Sequence, residues 1–234
     1  MQERIIVASL LNGSELLKSL AKNGVNTINM RIMNSGELAR LACMKSAVSM
    51  EEQFIDAKEE CVLSAKAAED NTYFNKPSYS DIQTLAKAIK TLRMIATQQQ
   101  EDTQITNALK KGVFKEKNEA LISVYQNYMA LLKEKGYADS ASLVRFASGL
   151  KTAFTSEFIV LEEYPLLPLE LELVKKLSSG TYRTMPLREL YGTEEKQPIG
   201  VEWYKNCYGA NNETETVLDD IYRNHNLDTC IIAT

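Results

Sequence analysis

The chain is poor in the residues from which metal centres and disulfide frameworks are built. Its 234 residues include one histidine, His225, and four widely separated cysteines, Cys43, Cys61, Cys207 and Cys230, none in a CxxC spacing. Zinc sites draw on clustered thiolate and imidazole ligands, and disulfide frameworks belong to small secreted chains, so these cysteines read as reduced thiols of a cytoplasmic protein. No apolar run approaches the roughly 18 residues that a membrane-spanning helix requires. The amino terminus, MQERIIVASLLNGS, places an acid and a base before its apolar run and has no small-residue cleavage site. It therefore reads as a strand rather than a secretion signal.

One further absence carries more weight. After the strand reading RIIVAS (Arg4 to Ser9), the chain runs Gly13-Ser14-Glu15-Leu16-Leu17-Lys18-Ser19. A phosphate-binding loop, GxxxxGK[ST], wraps phosphates with backbone N–H groups that its two glycines free for the purpose. Here Gly13, four residues and then Lys18-Ser19 are present, but the second glycine is absent. Residues 14–19 are then expected to continue a helix, with Glu15 putting negative charge where a triphosphate would sit. This is a degenerate phosphate loop, and no nucleotide cofactor is expected.

What remains is an ordinary globular composition. Hydrophobic residues are 44% and charged residues 25%, which separates the chain from disordered sequences, and its length allows one large domain or two small ones. Net charge is −4, which argues against a dedicated nucleic-acid binder, but the distribution is uneven. Residues 156–234 carry 14 acids and 7 bases, leaving an excess of +3 for residues 1–155. Lys87, Lys90, Arg93, Lys110, Lys111, Lys115 and Lys117 lie in that first part. They read either as a solvated helical face or as the surface that would meet a polyanion such as DNA.

The organising stretch is Glu157 to Leu177, EFIVLEEYPLLPLELELVKKL. A buried strand, Phe158 to Leu161, ends in Glu162 and Glu163. Tyr164, a turn bounded by Pro165 and Pro168, and a helix with Leu169, Leu173, Val174 and Leu177 on one face follow. In nucleotide-binding α/β domains a strand delivers acidic side chains at its carboxyl end in this way, to hold Mg²⁺ and orient water. Thr27 to Met33 reads as another strand, followed by a helix capped at Ser35. Residues 46–151 read as almost wholly helical: capping-box character at Ser49 to Glu52, an apolar face of Phe54, Ile55, Val62 and Leu63, and a long helix from Lys115 to Lys135 ending at Gly136. Tyr125 and Tyr128 on that helix are expected in its core. Thr181 to Pro198 reads as an exposed connection. Ile199 to Cys207, a helix through Val217 and Ile221, and a strand at Cys230 to Ile232 close the chain.

Three landmarks occur in a fixed order: Tyr125-Gln126 on a long helix, Gly136-Tyr137-Ala138-Asp139 at a helix start, then the acidic strand. This order resembles the first motor domain of UvrD-type superfamily 1 helicases, with Glu162 and Glu163 in the Asp-Glu places and Tyr164 in the aromatic place. Pro165 and Leu166 stand where that family has Gln-Asp. The run GSELLKSLAKNGVNTINMRIMNSGELARLA resembles the opening of AddB-type helicase-nuclease subunits and related PD-(D/E)XK nuclease-family proteins. The resemblance implies an α/β fold, a P-loop NTPase-like parallel sheet with a large helical insertion and a degenerate nucleotide site. It divides the chain into residues 1–45 and 152–198 as the α/β domain, 46–151 as the insertion and 199–234 as the start of a second motor-like domain. It implies an exonuclease parent acting in DNA end processing and recombinational repair, with this chain an ATPase-inactive scaffold for a motor or nuclease partner subunit and a guide for single-stranded DNA. No catalytic or metal-holding residue is assigned: a PD-(D/E)XK site needs an Asp and a Glu-x-Lys on neighbouring strands around a metal, and pairs such as Glu172 with Lys175 lie on helices, so the cutting residues are expected beyond Thr234. The alternative is a protein-interaction module without DNA binding.

Overall fold

The computed structural model describes residues 2–9, 12–74, 77–97, 102–192 and 223. Residues Met1–Gly192 form one compact unit and Thr193–Thr234 another, and every element described below belongs to the first. The expected strands at Ile199 to Cys207 and Cys230 to Ile232, and the helix between them, lie outside the described residues.

Four strands, β1 (Arg4–Val7), β2 (Met30–Met33), β5 (Glu157–Leu161) and β6 (Tyr182–Met185), make a wholly parallel sheet in the order β2-β1-β5-β6. The central pair is built from unbroken apolar runs because both of its faces are covered. Register aligns Ile5 with Phe158 and Ile6 with Ile159 across β1 and β5, and all four are fully buried or nearly so. Successive side chains leave opposite faces of a strand, so the sheet feeds two separate cores. On one face Ile5, Val7, Phe158 and Val160 meet helices α2 (Ser35–Ser46), α7 (Ser140–Ser148) and α8 (Pro168–Leu177). On the other, Ile6, Ala8, Ile159 and Leu161 meet Leu16 and Leu20 of α1 (Gly13–Lys22) and Leu190 of α9 (Leu187–Leu190). Helix α1 links β1 to β2 on one side of the sheet and α8 links β5 to β6 on the other. Crossovers of one hand that run outward in both directions demand this two-faced arrangement.

The long connection from β2 to β5 carries α3 (Ala57–Ala67), α4 (Tyr79–Ile95), α5 (Asp102–Lys110) and α6 (Lys115–Lys135). These helices have a core of their own, with Leu63 and Ala67 of α3, Leu85 and Ile89 of α4, and Val124, Tyr125, Tyr128 and Leu132 of α6. Both tyrosines are buried and α6 ends on Gly136 in the left-handed conformation, as its sequence predicts. Helix α7, grouped by sequence with the helical segment, instead lays Ala141, Val144 and Ala147 into the sheet core.

Several expectations need correction. Ser49 to Glu52 does not cap a helix: the capping box is formed by Asp56 and Glu59 at the start of α3. Phe54 lies on β3 (Gln53–Phe54), which pairs in parallel with β4 (Tyr137–Ala138). Val62 is 71% exposed, because an 11-residue helix covered on one side leaves the position before Leu63 facing water. The segment read as an exposed connection after Thr181 contains β6 and α9, with Leu190 buried.

Candidate functional site

In an open parallel sheet, ligands bind outside the carboxyl ends of the strands, where successive connections diverge to opposite sides. Here that place lies beyond Val7 of β1 and Leu161 of β5, neighbours from which the chain leaves in opposite directions. Four helices begin at this edge, since α1, α2, α8 and α9 each follow a sheet strand. A helix start exposes unpaired N–H groups and attracts anions. What occupies these four starts decides what the edge can do.

At every one the chain supplies its own oxygen. The Asn12 side chain accepts from Glu15 N at 3.5 Å and from the Ser14 hydroxyl at 2.9 Å. At α2, Asn34 accepts from Glu37 N at 2.9 Å, while the Glu37 carboxylate accepts from Asn34 N at 2.9 Å. The carboxylate of Glu170 accepts from Leu167 N at 2.8 Å and from the buried Ser35 hydroxyl at 2.6 Å, so it joins the starts of α8 and α2. Glu163 accepts from Leu187 N with both oxygens, at 2.8 and 3.0 Å, at the start of α9. Of the twin glutamates, then, Glu163 caps a helix, while Glu162 is exposed and donates its backbone N–H to Met185 O at 3.1 Å.

The residues of the phosphate-loop pattern are held apart from any such loop. Helix α1 begins at Gly13 itself. Lys18 is therefore five residues along the helix, roughly 7.5 Å up its axis at 1.5 Å per residue, and exposed. Ser19 bonds Tyr191 through the two hydroxyls at 3.0 Å. Gly13 has a packing role: a Cβ there would lie 2.4 Å from the backbone oxygen of Ile32 on β2. Gly13→Ala should thus cost about 1–2 kcal/mol even after the helical gain of Ala over Gly, because a backbone atom cannot step aside as a side chain can. The shift of the urea midpoint measures it.

Of the basic residues singled out by sequence, Lys87 and Lys90 are exposed on α4, while Lys110, Lys111, Lys115 and Lys117 are exposed around the turn between α5 and α6. Arg93 is a correction. It is 2% exposed and cannot meet a polyanion. Its Nε lies 2.6 Å from Oδ2 of Asp139, an ionic contact without the direction of a hydrogen bond. One terminal nitrogen, Nη2, donates both to Asp139 Oδ1 at 3.0 Å and to the Ser142 hydroxyl at 2.8 Å. Asp139 also accepts from Tyr128 OH at 3.2 Å and caps α7 through Ser142 N at 2.8 Å. Alongside, Glu60 of α3 accepts from Ser140 N at 2.8 Å. Burial alone would raise the Asp139 carboxyl, but the Arg93 guanidinium overrides it and holds the group below the usual aspartate range. Burial pushes the Glu60 carboxyl up, and only partly do the Ser140 hydrogen bonds oppose it. Tyr128 is raised by burial and by the carboxylates of Asp139 and Glu60. This cluster ties α3, α4 and α6 to the start of α7, and it is a structural joint rather than a site open to ligand.

The sequence placed Arg93 in a basic surface and gave no role to Glu60 or Glu170, yet each leaves a signal. Arg93 falls four residues after Ile89 and eight after Leu85, on the apolar stripe of α4. Glu170 falls three and four residues before Leu173 and Val174, on the stripe of α8. Glu60 shares its face with Leu63, Ser64 and Ala67. A charge on an apolar stripe needs a buried partner, and that is what all three have. Among the described residues no cluster of histidine, cysteine, aspartate and glutamate is arranged to hold a metal ion, and no helix is long and apolar enough to cross a membrane. No family model matches the chain and no curated protein is significantly similar to it.

Proposed function

We propose that this chain is a nucleotidase-type α/β scaffold that no longer binds nucleotide, the ATPase-inactive, helicase-like amino-terminal region of an AddB-like exonuclease subunit. Its work is to carry a partner motor or nuclease subunit and to guide single-stranded DNA in end processing. The observation that supports this reading is the self-capped carboxyl edge. Four helix starts that could grip phosphate are satisfied by Asn12, Asn34 with Glu37, Glu170 and Glu163. An incoming triphosphate would meet a carboxylate at three of them, Glu37, Glu170 and Glu163, and the Asn12 oxygen beside Glu15 at the fourth. Calorimetric titration of the full chain with Mg-ATP is expected to show no binding up to about 1 mM, an affinity of only some 4 kcal/mol. Micromolar binding that disappears in Glu162→Gln overturns the inactive assignment.

A second reading, a protein-interaction module without DNA contact, is favoured by one surface. Met44 is 77% exposed on α2, one turn beyond Arg40, whose guanidinium stacks 4.8 Å from the ring of exposed Phe54. An aromatic, an arginine and a methionine together are typical of a docking patch.

A further inference from the structure

The turn between α5 and α6 takes no part in the sheet edge or in the buried joint, and its chemistry is unlike either. From the end of α5 the chain reads Lys110-Lys111-Gly112-Val113-Phe114, and α6 opens with Lys115-Glu116-Lys117. Four cations thus flank two apolar side chains, with one acid among them. Val113 is 90% exposed and Phe114 72%. The geometry that presents them is fixed by the turn's own bonds. Gly112 N donates to Leu109 O at 3.0 Å and Asn118 N to Phe114 O at 2.9 Å. The Asn118 side chain closes the loop onto Leu109 O at 2.9 Å, lying so close over residue 112 that a Cβ there would sit 2.5 Å from its nitrogen. Helix α6 also starts without a side-chain cap, on Phe114, whereas Asn12, Asn34, Asp56, Ser78 and Asp139 cap theirs. The positive end of the longest helix in the described residues therefore opens onto the same lysine-lined turn.

We propose that this turn is a contact for single-stranded nucleic acid, in which Phe114 stacks on an unpaired base and Lys110, Lys111, Lys115 and Lys117 meet the phosphates on either side. The inference rests on the DNA-guiding part of the proposed function and gives it an address. Charge complementarity selects a polyanion, and the exposed ring selects one whose bases are free, because a paired base offers no face to stack on. An anionic bilayer would attract the same lysines. Even a myristoyl chain binds a bilayer only marginally, however, and Val113 with Phe114 offers less apolar surface than that.

The probe is a fluorescein-labelled oligothymidylate of about 15 nucleotides, titrated with the full chain by anisotropy. Four phosphate contacts at about 0.7 released counterions each predict a log–log salt slope near −3. Phe114→Ala should weaken binding roughly five- to hundredfold at each salt concentration and leave the slope in place. Phe114→Trp should restore binding, with indole quenching when the oligonucleotide is bound. Replacing all four lysines by glutamine should flatten the slope. These side chains are exposed, and unchanged urea midpoints show that the variants fold. The proposal is overturned if Phe114→Ala binds like the unaltered chain, if a duplex of equal length binds as tightly, or if phosphatidylserine vesicles bind with the same dependence on Phe114 while the oligonucleotide does not. Each of these outcomes leaves the Mg-ATP titration unaffected, so the contact can fail while the scaffold reading stands.

Discussion

Asp139→Ala is expected to destabilise the chain by about 3–5 kcal/mol, because it strands the Arg93 guanidinium in a site from which water is excluded. The residue acts on three neighbours at once: it neutralises Arg93, accepts from Tyr128 OH and caps α7. Asp139→Asn separates these roles, since asparagine still caps a helix but carries no charge, and it should recover only about 1 kcal/mol of the loss. A double variant, Arg93→Met with Asp139→Leu, removes both charges and should lie well above either single variant, as apolar replacements of buried ion pairs commonly do. Urea unfolding of the four proteins decides it. An Asp139→Ala loss under about 1 kcal/mol would mean that the pair behaves like an exposed one. The pH dependence carries a sign. The Asp139 carboxyl is lowered in the folded chain, so its contribution is complete above the unfolded value of about 3.9 and is lost as pH falls through the lower native one. Glu60 is raised, so its contribution is present below the unfolded value of about 4.3 and is lost as pH rises through the native one. Above that range Glu60 pulls against Asp139, and Glu60→Gln should reduce the stability lost between mildly acidic and neutral pH.

The parts of the fold that could be read from sequence are those where one local pattern suffices. The runs RIIV and FIVL are continuous because β1 and β5 are covered on both faces. Helix α6 shows its full apolar stripe and ends at a glycine with φ of 63°, where the left-handed conformation favours that residue. Strand β6 escaped because it pairs on one side only among the described strands, with Arg183 and Thr184 exposed, so it lacks the apolar run of the centre. Strands β3 and β4 have two residues each and pair across the whole of the helical segment between them. No local pattern announces such a pair. The site was harder to read for a related reason. Glu163 read as the remnant of an acidic strand end, and its partner is the N–H of Leu187, 24 positions further on. Arg93 looked like one cation of a basic series, and only its place on the stripe of α4 hinted that it points inward.

Glu170→Ala should cost about 2–4 kcal/mol, the larger part from the donors left without an acceptor. Glu170 is 7% exposed and Ser35 6%. The carboxylate bridges the starts of two helices on one face of the sheet, accepting from Leu167 N with one oxygen and from the Ser35 hydroxyl with the other. Truncation removes two hydrogen bonds to a charged group, a class worth about 1.5–3 kcal/mol each before relaxation. It also removes the negative charge from the positive end of α8. Glu170→Gln keeps an oxygen for one donor and should recover about half the loss, whereas Ser35→Ala removes one donor together with its need for an acceptor and should cost only about 1 kcal/mol. Unfolding of these variants also bears on function. If Glu170 holds the edge closed, its removal frees amides beside the strand ends, and Glu170→Ala should bind inorganic phosphate more tightly than the unaltered chain, detected as a rise in melting temperature with added phosphate. A variant that loses stability and gains no response to phosphate would mean that the carboxylate serves the packing of α2 against α8 alone, and that the edge is closed by the remaining caps.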